Sequence, residues 1–147
     1  MLKIVLGCPG IGKTTLSKKN DLFFDVKPKH FFLENKINLC CLSSETIEYI
    51  NNLKNVNVLC LDITSVVSIL IKRIKTREFK KIKTKQAKEI LEKINKLTDF
   101  KDFQDYLYCL KNLNFLSNKK IRVIKIKNEN DLLNLENILI DFFTNKT

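Results

Sequence analysis

Five short apolar runs, separated by longer stretches with helical periodicity, define the pattern of hydrophobic and polar positions along this chain. Four of the runs are nearly continuous in Val, Ile, Leu, Phe and Cys, as in strands that are buried on both faces. The last run instead alternates apolar and polar residues. The predicted strands are residues 2–6, 21–26, 37–42, 58–61 and 121–127.

Apolar positions spaced three or four residues apart predict helices between these strands. Ser43 precedes one such stripe and is suited to cap its helix, whereas Pro28 separates the second strand from a short helix. The predicted helices are residues 13–19, 28–35, 43–53, 64–77, 84–97, 100–115 and 130–143, with Thr64 or Ser65 and Asn130 as further caps.

The alternation of strands and helices predicts an α/β fold with a five-stranded parallel sheet and a helical insertion before the last strand. The length of 147 residues suits one domain with a proper core. In this class the ligand lies beyond the carboxyl ends of the strands. We therefore expect the segment Gly7–Thr14 and the residues Asp25, Ser43 and Asp62 to lie near one edge of the sheet.

All three glycines of the chain lie within six residues, at Gly7, Gly10 and Gly12. Together with Lys13 and Thr14 they match G-x-x-x-x-G-K-[ST], the phosphate-binding loop motif, between a predicted strand and a predicted helix. Because the chain uses glycine nowhere else, we expect all three to be required by the backbone. Glycine permits positive φ and lets the main chain approach a ligand closely.

A loop with this motif is expected to bind a nucleoside triphosphate. Its backbone N–H groups surround the anion, Lys13 neutralises the β- and γ-phosphates, and the Thr14 hydroxyl is a ligand for Mg²⁺. ATP is expected rather than GTP because the sequence contains no guanine-selective N-K-x-D element. The predicted ATP-binding residues are Gly7, Cys8, Pro9, Gly10, Ile11, Gly12, Lys13, Thr14 and Thr15.

The net charge of +11 is concentrated in one segment, since residues 72–88 contain nine Lys or Arg residues against one Glu. Such a segment suits a polyanion, either nucleotide phosphates or a nucleic-acid backbone. A solvated charged helix is the alternative. No apolar stretch approaches the roughly 20 residues of a membrane span, and the five cysteines show no metal-type spacing. We expect a cytoplasmic protein with buried, reduced thiols.

The sequence resembles small P-loop kinases of the nucleoside-monophosphate-kinase type, similar to adenylate, thymidylate, shikimate and gluconate kinases and to short phage-encoded kinase-like proteins. Gly7–Thr15 is close to the form G-x-P-G-x-G-K-T-T that is common there. The fourth strand, 59–62, leads to a helix with the R-x-x-x-R spacing of a lid helix at Arg73 and Arg77. The resemblance implies a three-layer P-loop NTPase fold with a lid over about residues 72–98.

The resemblance also implies roles for individual residues. Lys13 would bridge the donor phosphates, and Arg73 and Arg77 would close over the triphosphate and stabilise charge on the transferred phosphoryl group. Asp25 would contact the acceptor hydroxyl or the waters of the metal ion. Asp62 fits the pattern of an apolar run followed by an acidic residue, but we expect it to cap a helix rather than to act in catalysis.

The acceptor side departs from the pattern of the family. The third strand ends at Ser43 without a metal-associated carboxylate, and residues 20–60 contain no arginine with which to grip a monophosphate. Lys29 and His30 are candidates to contact an anionic acceptor, although a single histidine beside phenylalanines is more often structural.

The function predicted from these observations is Mg²⁺-dependent transfer of the γ-phosphoryl group of ATP to a nucleotide, a nucleoside or another small acceptor. A polynucleotide 5′-hydroxyl kinase is an alternative because of the basic segment 72–88. The third interpretation is a regulatory nucleotide-binding module with weak catalysis, which the missing third-strand carboxylate favours. The catalytic residues predicted are Lys13, Asp25, Arg73 and Arg77.

Overall fold

The computed structural model describes residues 1–26, 31–81 and 98–144, with the backbone alone at 77–81 and 98–100. Its strands are β1 (Leu2–Gly7), β2 (Phe23–Asp25), β3 (Ile37–Cys41), β4 (Val56–Asp62) and β5 (Arg122–Lys125). Its helices are α1 (Lys13–Lys19), α2 (Ser44–Asn51), α3 (Val67–Lys81), α4 (Thr98–Lys111), α5 (Leu113–Leu116), α6 (Glu129–Leu133) and α7 (Leu135–Thr144), and a 3-10 turn at Thr64–Val66 precedes α3.

The five strands form one parallel sheet in the order β2-β3-β1-β4-β5. The prediction of an α/β fold with a five-stranded parallel sheet is confirmed. Because the strands run in one direction, their carboxyl ends share one edge of the sheet, where Gly7 of β1 lies beside Cys41 of β3. The central position of β1 places the glycine-rich loop (residues 7–14) in the middle of that edge.

Helices cover both faces of the sheet. Ile4, Val5 and Leu6 of β1 are each at most 2% exposed, and the four residues 58–61 of β4 are at most 1% exposed. Successive side chains of a strand point to opposite faces, so consecutive buried residues require cover on both sides. This burial is compatible with a three-layer α/β fold.

One group of helices consists of α1 and α7. Lys19, at the end of α1, forms a 3.1 Å ion pair with Glu136 of α7. The side-chain amide of Asn20 donates a second contact, of 3.0 Å, to the same carboxylate. The hydrogen bond from Asn20, which has the larger effect, and that from Lys19 hold the pKa of Glu136 below its usual value.

A second group consists of α2, α4 and α5. Asn51 of α2 donates from its side-chain amide to the carbonyl of Leu116 at 3.0 Å. Tyr106 of α4 is fully buried and donates its hydroxyl to the carbonyl of Leu61 near the end of β4. Burial raises the pKa of this hydroxyl, so it stays protonated and remains a donor.

The prediction of a helix at 28–35 is wrong for the residues described there. Residues 31–33 have no regular structure and 34–35 form a turn. The buried side chain of Asn38 stabilises this irregular backbone, accepting from the amide of Leu33 at 2.8 Å and donating to its carbonyl at 2.9 Å. A buried asparagine that pairs with the main chain competes with helix formation.

Two predicted caps are also wrong. The closing helix is capped by Asn128, whose side chain accepts from the amide of Asp131 at 3.0 Å, rather than by Asn130. Before α3, neither Thr64 nor Ser65 is the cap. The cap position of the 3-10 turn is Ile63, and the Asp62 carboxylate, one residue earlier, accepts from the amide of Thr64 at 3.0 Å and from its hydroxyl at 2.7 Å.

The long amphipathic helices are less continuous than predicted. The predicted helix 100–115 is interrupted at Asn112 between α4 and α5, and the predicted helix 130–143 is interrupted at Asn134 between α6 and α7. Asparagine side chains bond to nearby backbone groups and therefore favour such interruptions. The predicted helix 84–97 lies outside the described residues. Within the described part of the chain, no helix has the length and apolar character needed to cross a membrane.

Candidate functional site

A cleft of about 820 Å³ lies at the carboxyl edge of the sheet. The glycine-rich loop and the first turn of α1 form one side, and the ends of β2 and β3 with the start of α2 form another. Side chains from α3 and α4 complete the wall. The residues that line it are Pro9, Gly10, Gly12, Lys13, Thr14, Thr15, Asp25, Val26, Cys40, Cys41, Leu42, Ser43, Ser44, Glu45, Thr46, Arg73, Ile74, Asp102 and Asp105.

Two of the three glycines have the positive φ expected of the loop. Gly10 has φ 84° and Gly12 has φ 105°, in the region that side chains disfavour. Gly10 also lies against α3, since a Cβ there would be 3.1 Å from Cγ1 of Ile74 and 3.4 Å from the carbonyl of Leu70. The backbone at Gly10 therefore lies close to α3, whereas nothing lies within 4 Å of a Cβ placed on Gly12.

The expectation that all three glycines are required by the backbone is wrong for Gly7. It lies at the end of β1 without positive φ. A Cβ on Gly7 would meet Ile11 at 3.4 Å and Leu61 at 3.8 Å, which is close to ordinary van der Waals contact. Gly7, Cys8 and Ile11 are buried and do not line the cleft, and the side chains of Cys8 and Ile11 contribute to the core beneath the loop.

Lys13 folds back over the glycine-rich loop. Its ammonium donates to the carbonyl of Cys8 at 2.8 Å, in a half-buried position. An ammonium group has three N–H donors. This contact uses one of them and places the charge above the loop, so two donors remain for a phosphate.

Thr14 and Asp25 are brought together across the cleft. The Thr14 hydroxyl, in the first turn of α1, donates to Oδ2 of Asp25 at the end of β2 at 2.8 Å. Adjacent ligands of an octahedral Mg²⁺ with bonds of about 2.1 Å are about 3 Å apart. The spacing and the oxygen chemistry of this pair therefore fit two neighbouring positions on that ion.

Mg²⁺ commonly binds through one or two carboxylates, substrate phosphates and water. Within the described residues, no group of three or more His, Cys, Asp or Glu side chains is arranged to hold a metal ion. A site completed by phosphate oxygens does not need such a group. Thr14 and Asp25 are the described side chains that would hold the ion.

Arg73 lines the cleft from α3, half-buried beside Ile74. Ile74 is the residue that packs on Gly10, so the contact between α3 and the loop fixes where Arg73 lies. The side chain of the second predicted arginine, Arg77, is not described, and Lys29, His30 and residues 82–88 of the basic segment lie outside the described residues.

Ser43 serves the helix that follows it. Its hydroxyl accepts from the amide of Thr46 at 3.2 Å and is 2.9 Å from the Thr46 hydroxyl, to which it donates. The predicted cap of α2 is thereby confirmed. Asp62, the other acidic candidate at this edge, does not line the cleft.

Sequence reasoning missed two residues of the cleft, Asp102 and Asp105 of α4. The Ser44 hydroxyl donates to Oδ1 of Asp105 at 3.4 Å, and the Cys109 thiol donates to the same oxygen at 3.6 Å. The local signal was limited to the polar face of an amphipathic helix. Only the packing of α4 on α2 carries these carboxylates to a loop almost a hundred residues earlier in the chain.

The thiols agree with the expectation of buried, reduced cysteines. All five cysteines are free, and all are buried except Cys41, which is half-buried at the cleft. Burial raises the pKa of Cys8 and Cys60 to about 12 and that of Cys40 to about 11. These three thiols are therefore poor nucleophiles.

Comparison with known proteins gives no relative. No protein-family model matches the chain, and neither a curated protein nor a solved structure matches it. Any functional conclusion therefore depends on the residues of the cleft and on the motif in the sequence.

Proposed function

We propose that the protein is an ATP- and Mg²⁺-dependent phosphotransferase that moves the γ-phosphoryl group to a small acceptor. The observation that supports this most directly is the convergence of Lys13, the Thr14–Asp25 pair and Arg73 on one cleft. Lys13 and Thr14 belong to the phosphate-binding motif, whereas Asp25 ends the next strand and Arg73 comes from α3, which is distant in sequence. Phosphoryl transfer needs these charges in one place and little other protein chemistry.

The transfer exchanges one P–O bond for another. The acceptor oxygen forms a bond to the γ-phosphorus while the bond between that phosphorus and the β,γ-bridging oxygen breaks, and ADP leaves with the electron pair. The hydroxyl proton passes to a carboxylate of the cleft and then to water. Bound Mg²⁺ would neutralise charge that develops on the β- and γ-phosphates.

Each protein group has a role that follows from its chemistry. Lys13 withdraws charge from the β- and γ-phosphates, and the guanidinium of Arg73 offers a planar pair of donors to the transferred phosphoryl group. Asp25 and Thr14 would hold the metal ion, and Asp25 would help to orient the acceptor. Catalysis is then largely positioning and electrostatic stabilisation.

A regulatory nucleotide-binding module is the second candidate, and one observation favours it. The hydroxyl of Ser43, at the end of β3 next to the loop, is committed to capping α2. The end of β3 therefore supplies a helix cap, and no carboxylate, beside the loop. Binding with little turnover would follow if Asp25 did not replace that group.

A transfer assay with γ-labelled ATP and Mg²⁺ tests the proposal. The acceptors are nucleosides, nucleoside monophosphates, 5′-hydroxyl oligonucleotides and small hydroxy acids. Lys13→Ala is the test variant, and Lys18→Ala is its matched control, since Lys18 is exposed on the same helix and outside the cleft.

Label that moves to one acceptor class, and is lost in Lys13→Ala but retained in Lys18→Ala, supports the phosphotransferase. Transfer to oligonucleotides alone would indicate the polynucleotide kinase. ATP binding without transfer to any acceptor would reject phosphoryl transfer and support the binding module.

A further inference from the structure

Apart from Asp25, which accepts from Thr14 beside the glycine-rich loop, the charged side chains that line the cleft are segregated by sign. The described cations, Lys13 and Arg73, lie at the glycine-rich loop and at α3, which packs on that loop. Three carboxylates, Glu45, Asp102 and Asp105, lie on the wall that α2 and α4 form; we call this the acidic wall. A triphosphate donor and its acceptor would therefore meet surfaces of opposite charge.

The arginines of the whole sequence can be accounted for. Of the three, Arg73 lines the cleft beside the loop, and Arg77 follows it by one turn on α3. Arg122 is exposed on β5, where its guanidinium lies 5.7 Å from the centre of the Phe142 ring. No arginine is thus carried by the segments that form the acidic wall.

We infer that the phosphoryl acceptor is a small unphosphorylated hydroxyl compound, neutral or positively charged, and that Asp102 and Asp105 determine this specificity. The inference rests on the proposed function and concerns the same cleft. Carboxylates accept hydrogen bonds from hydroxyl and ammonium groups, whereas they repel a phosphate dianion. A nucleoside monophosphate is the acceptor that this wall disfavours.

The position of the acidic wall is fixed by contacts on both sides. Asp105 accepts from the Ser44 hydroxyl of α2 and from the Cys109 thiol one turn along α4. Tyr106, which follows Asp105, is buried and donates to the carbonyl of Leu61. Tyr106 is therefore a positioning residue, because it attaches α4 to the end of β4 and so places Asp102 and Asp105 at the cleft.

The opposite hypothesis comes from two residues outside the described part of the chain. Lys29 and His30 follow Asp25 in sequence and are the candidates to bind an anionic acceptor. The two hypotheses predict opposite preferences between acceptors that differ only by a phosphate group. A single comparison can therefore separate them.

The experiment uses matched acceptor pairs, each a hydroxyl compound and its phosphate monoester. A nucleoside with its 5′-monophosphate and an amino alcohol with its phosphate ester are suitable. Transfer from γ-labelled ATP is measured as kcat/KM, and binding of each member is measured by calorimetry in the presence of a non-hydrolysable ATP analogue. The protein is compared with Asp102→Asn, Asp105→Asn and the double variant, and Asp141→Asn on the exposed face of α7 is the control.

The expected result is a preference of at least about tenfold for the unphosphorylated member, in transfer and in binding. The double variant should lower this ratio at least about fivefold, because it removes the repulsion of the phosphate, while the KM for ATP and the Asp141→Asn ratio stay unchanged. Asparagine retains the hydrogen-bonding oxygen toward Ser44, and the single variants guard against a loss of folding.

A preference for the phosphorylated member, lost in Lys29→Ala, would overturn the inference while leaving the phosphotransferase intact. An unchanged ratio in the double variant would remove Asp102 and Asp105 as its cause and would also overturn it. If no acceptor were labelled, the proposed function would fail, and the binding ratio alone would then support or reject the charge preference.

Discussion

Two helices begin at the same edge of the sheet, and their first turns are satisfied in different ways. At α2, the Ser43 side chain accepts from the amide of Thr46, and Glu45 adds negative charge in the first turn. At α1, the preceding residue is Gly12, which has no side chain for capping, and the first turn contains no acidic residue. The amide groups at the start of a helix need acceptors. At α1 no cap side chain bonds to these amides.

Under the proposed function, this difference separates a helix start that serves the fold from one that binds a phosphate. The helix dipole favours negative charge at both N-termini. At α2 the protein supplies that charge as Glu45, and at α1 it supplies a lysine and a threonine instead. Lys13 in the first turn of α1 is unfavourable for the isolated helix, which is expected if an anion accompanies it.

The largest effect is expected beside the start of α1, at Asp25. Asp25→Asn should lower kcat/KM for phosphoryl transfer at least about a hundredfold and raise the Mg²⁺ concentration needed, because it removes charge beside Thr14. Asp21→Asn, in the exposed turn before β2, is the matched control. Magnesium titrations of both variants measure the effect, and equal Mg²⁺ dependence in the two would remove Asp25 from the metal site.

The next effect concerns the loop that precedes α1. Gly10→Ala should reduce the free energy of unfolding by about 1–3 kcal/mol, since the methyl group meets Ile74 and φ is positive there. Gly7→Ala should cost clearly less, because φ is not positive there and its neighbours are near contact distance. Urea denaturation of the two variants gives the comparison, and a larger cost at Gly7 would contradict the assignment.

The core beneath both helices should respond to alkaline pH. Cys8, Cys40 and Cys60 have folded pKa values of about 12, 11 and 12 against an ordinary value of 9.0, chiefly because of burial. A raised pKa favours folding below the unfolded value and loses that contribution as pH rises. From about pH 9 upward, each thiol should therefore reduce stability by about 1.4 kcal/mol per pH unit until its folded pKa is reached.

Urea denaturation between pH 8 and pH 10.5 measures this loss. Cys60→Val should make the decline with pH less steep, since it removes one of the three buried thiols. Stability that rose over this range would contradict the burial of the thiols.

The smallest effect is expected at the start of α2. Ser43→Ala should lower the free energy of unfolding by about 1 kcal/mol through loss of the α2 cap. It should leave ATP affinity unchanged, because the side chain serves the helix rather than the ligand. Denaturation and nucleotide titration of the same variant test both halves, and a large loss of ATP affinity would show that the two N-termini are not independent.

The sequence predicted what depends on local pattern. The strands follow from apolar runs, and the cap at Ser43 follows from a serine before an apolar stripe. The helix predicted at 28–35 is wrong over 31–35 because the buried side chain of Asn38, outside the predicted segment, bonds to the backbone of Leu33. Whether Asn128 or Asn130 caps α6 depends on where the helix begins to within two residues, which local pattern determines poorly.

The residues of the site also divide into those that a local pattern predicts and those that depend on contacts between separate elements. Lys13 and Thr14 are specified by a contiguous motif, and the strand order brings their neighbour Asp25 into contact. Asp102 and Asp105 could not be identified from sequence, since nothing nearby distinguishes them from other carboxylates on the solvent face of a helix. Their position depends on Tyr106 and Ser44, which are contacts between separate elements.

The contact of Gly10 with α3 has a consequence for how the chain tolerates change. The position of the loop relative to Arg73 is set by the packing of Gly10 on α3, where a Cβ on residue 10 would lie 3.1 Å from Ile74. A change of side-chain size at position 10 or 74 should therefore displace the loop relative to Arg73. Under the proposed function, donor binding depends on this packing, whereas Asp102 and Asp105 of α4 could be exchanged without altering it.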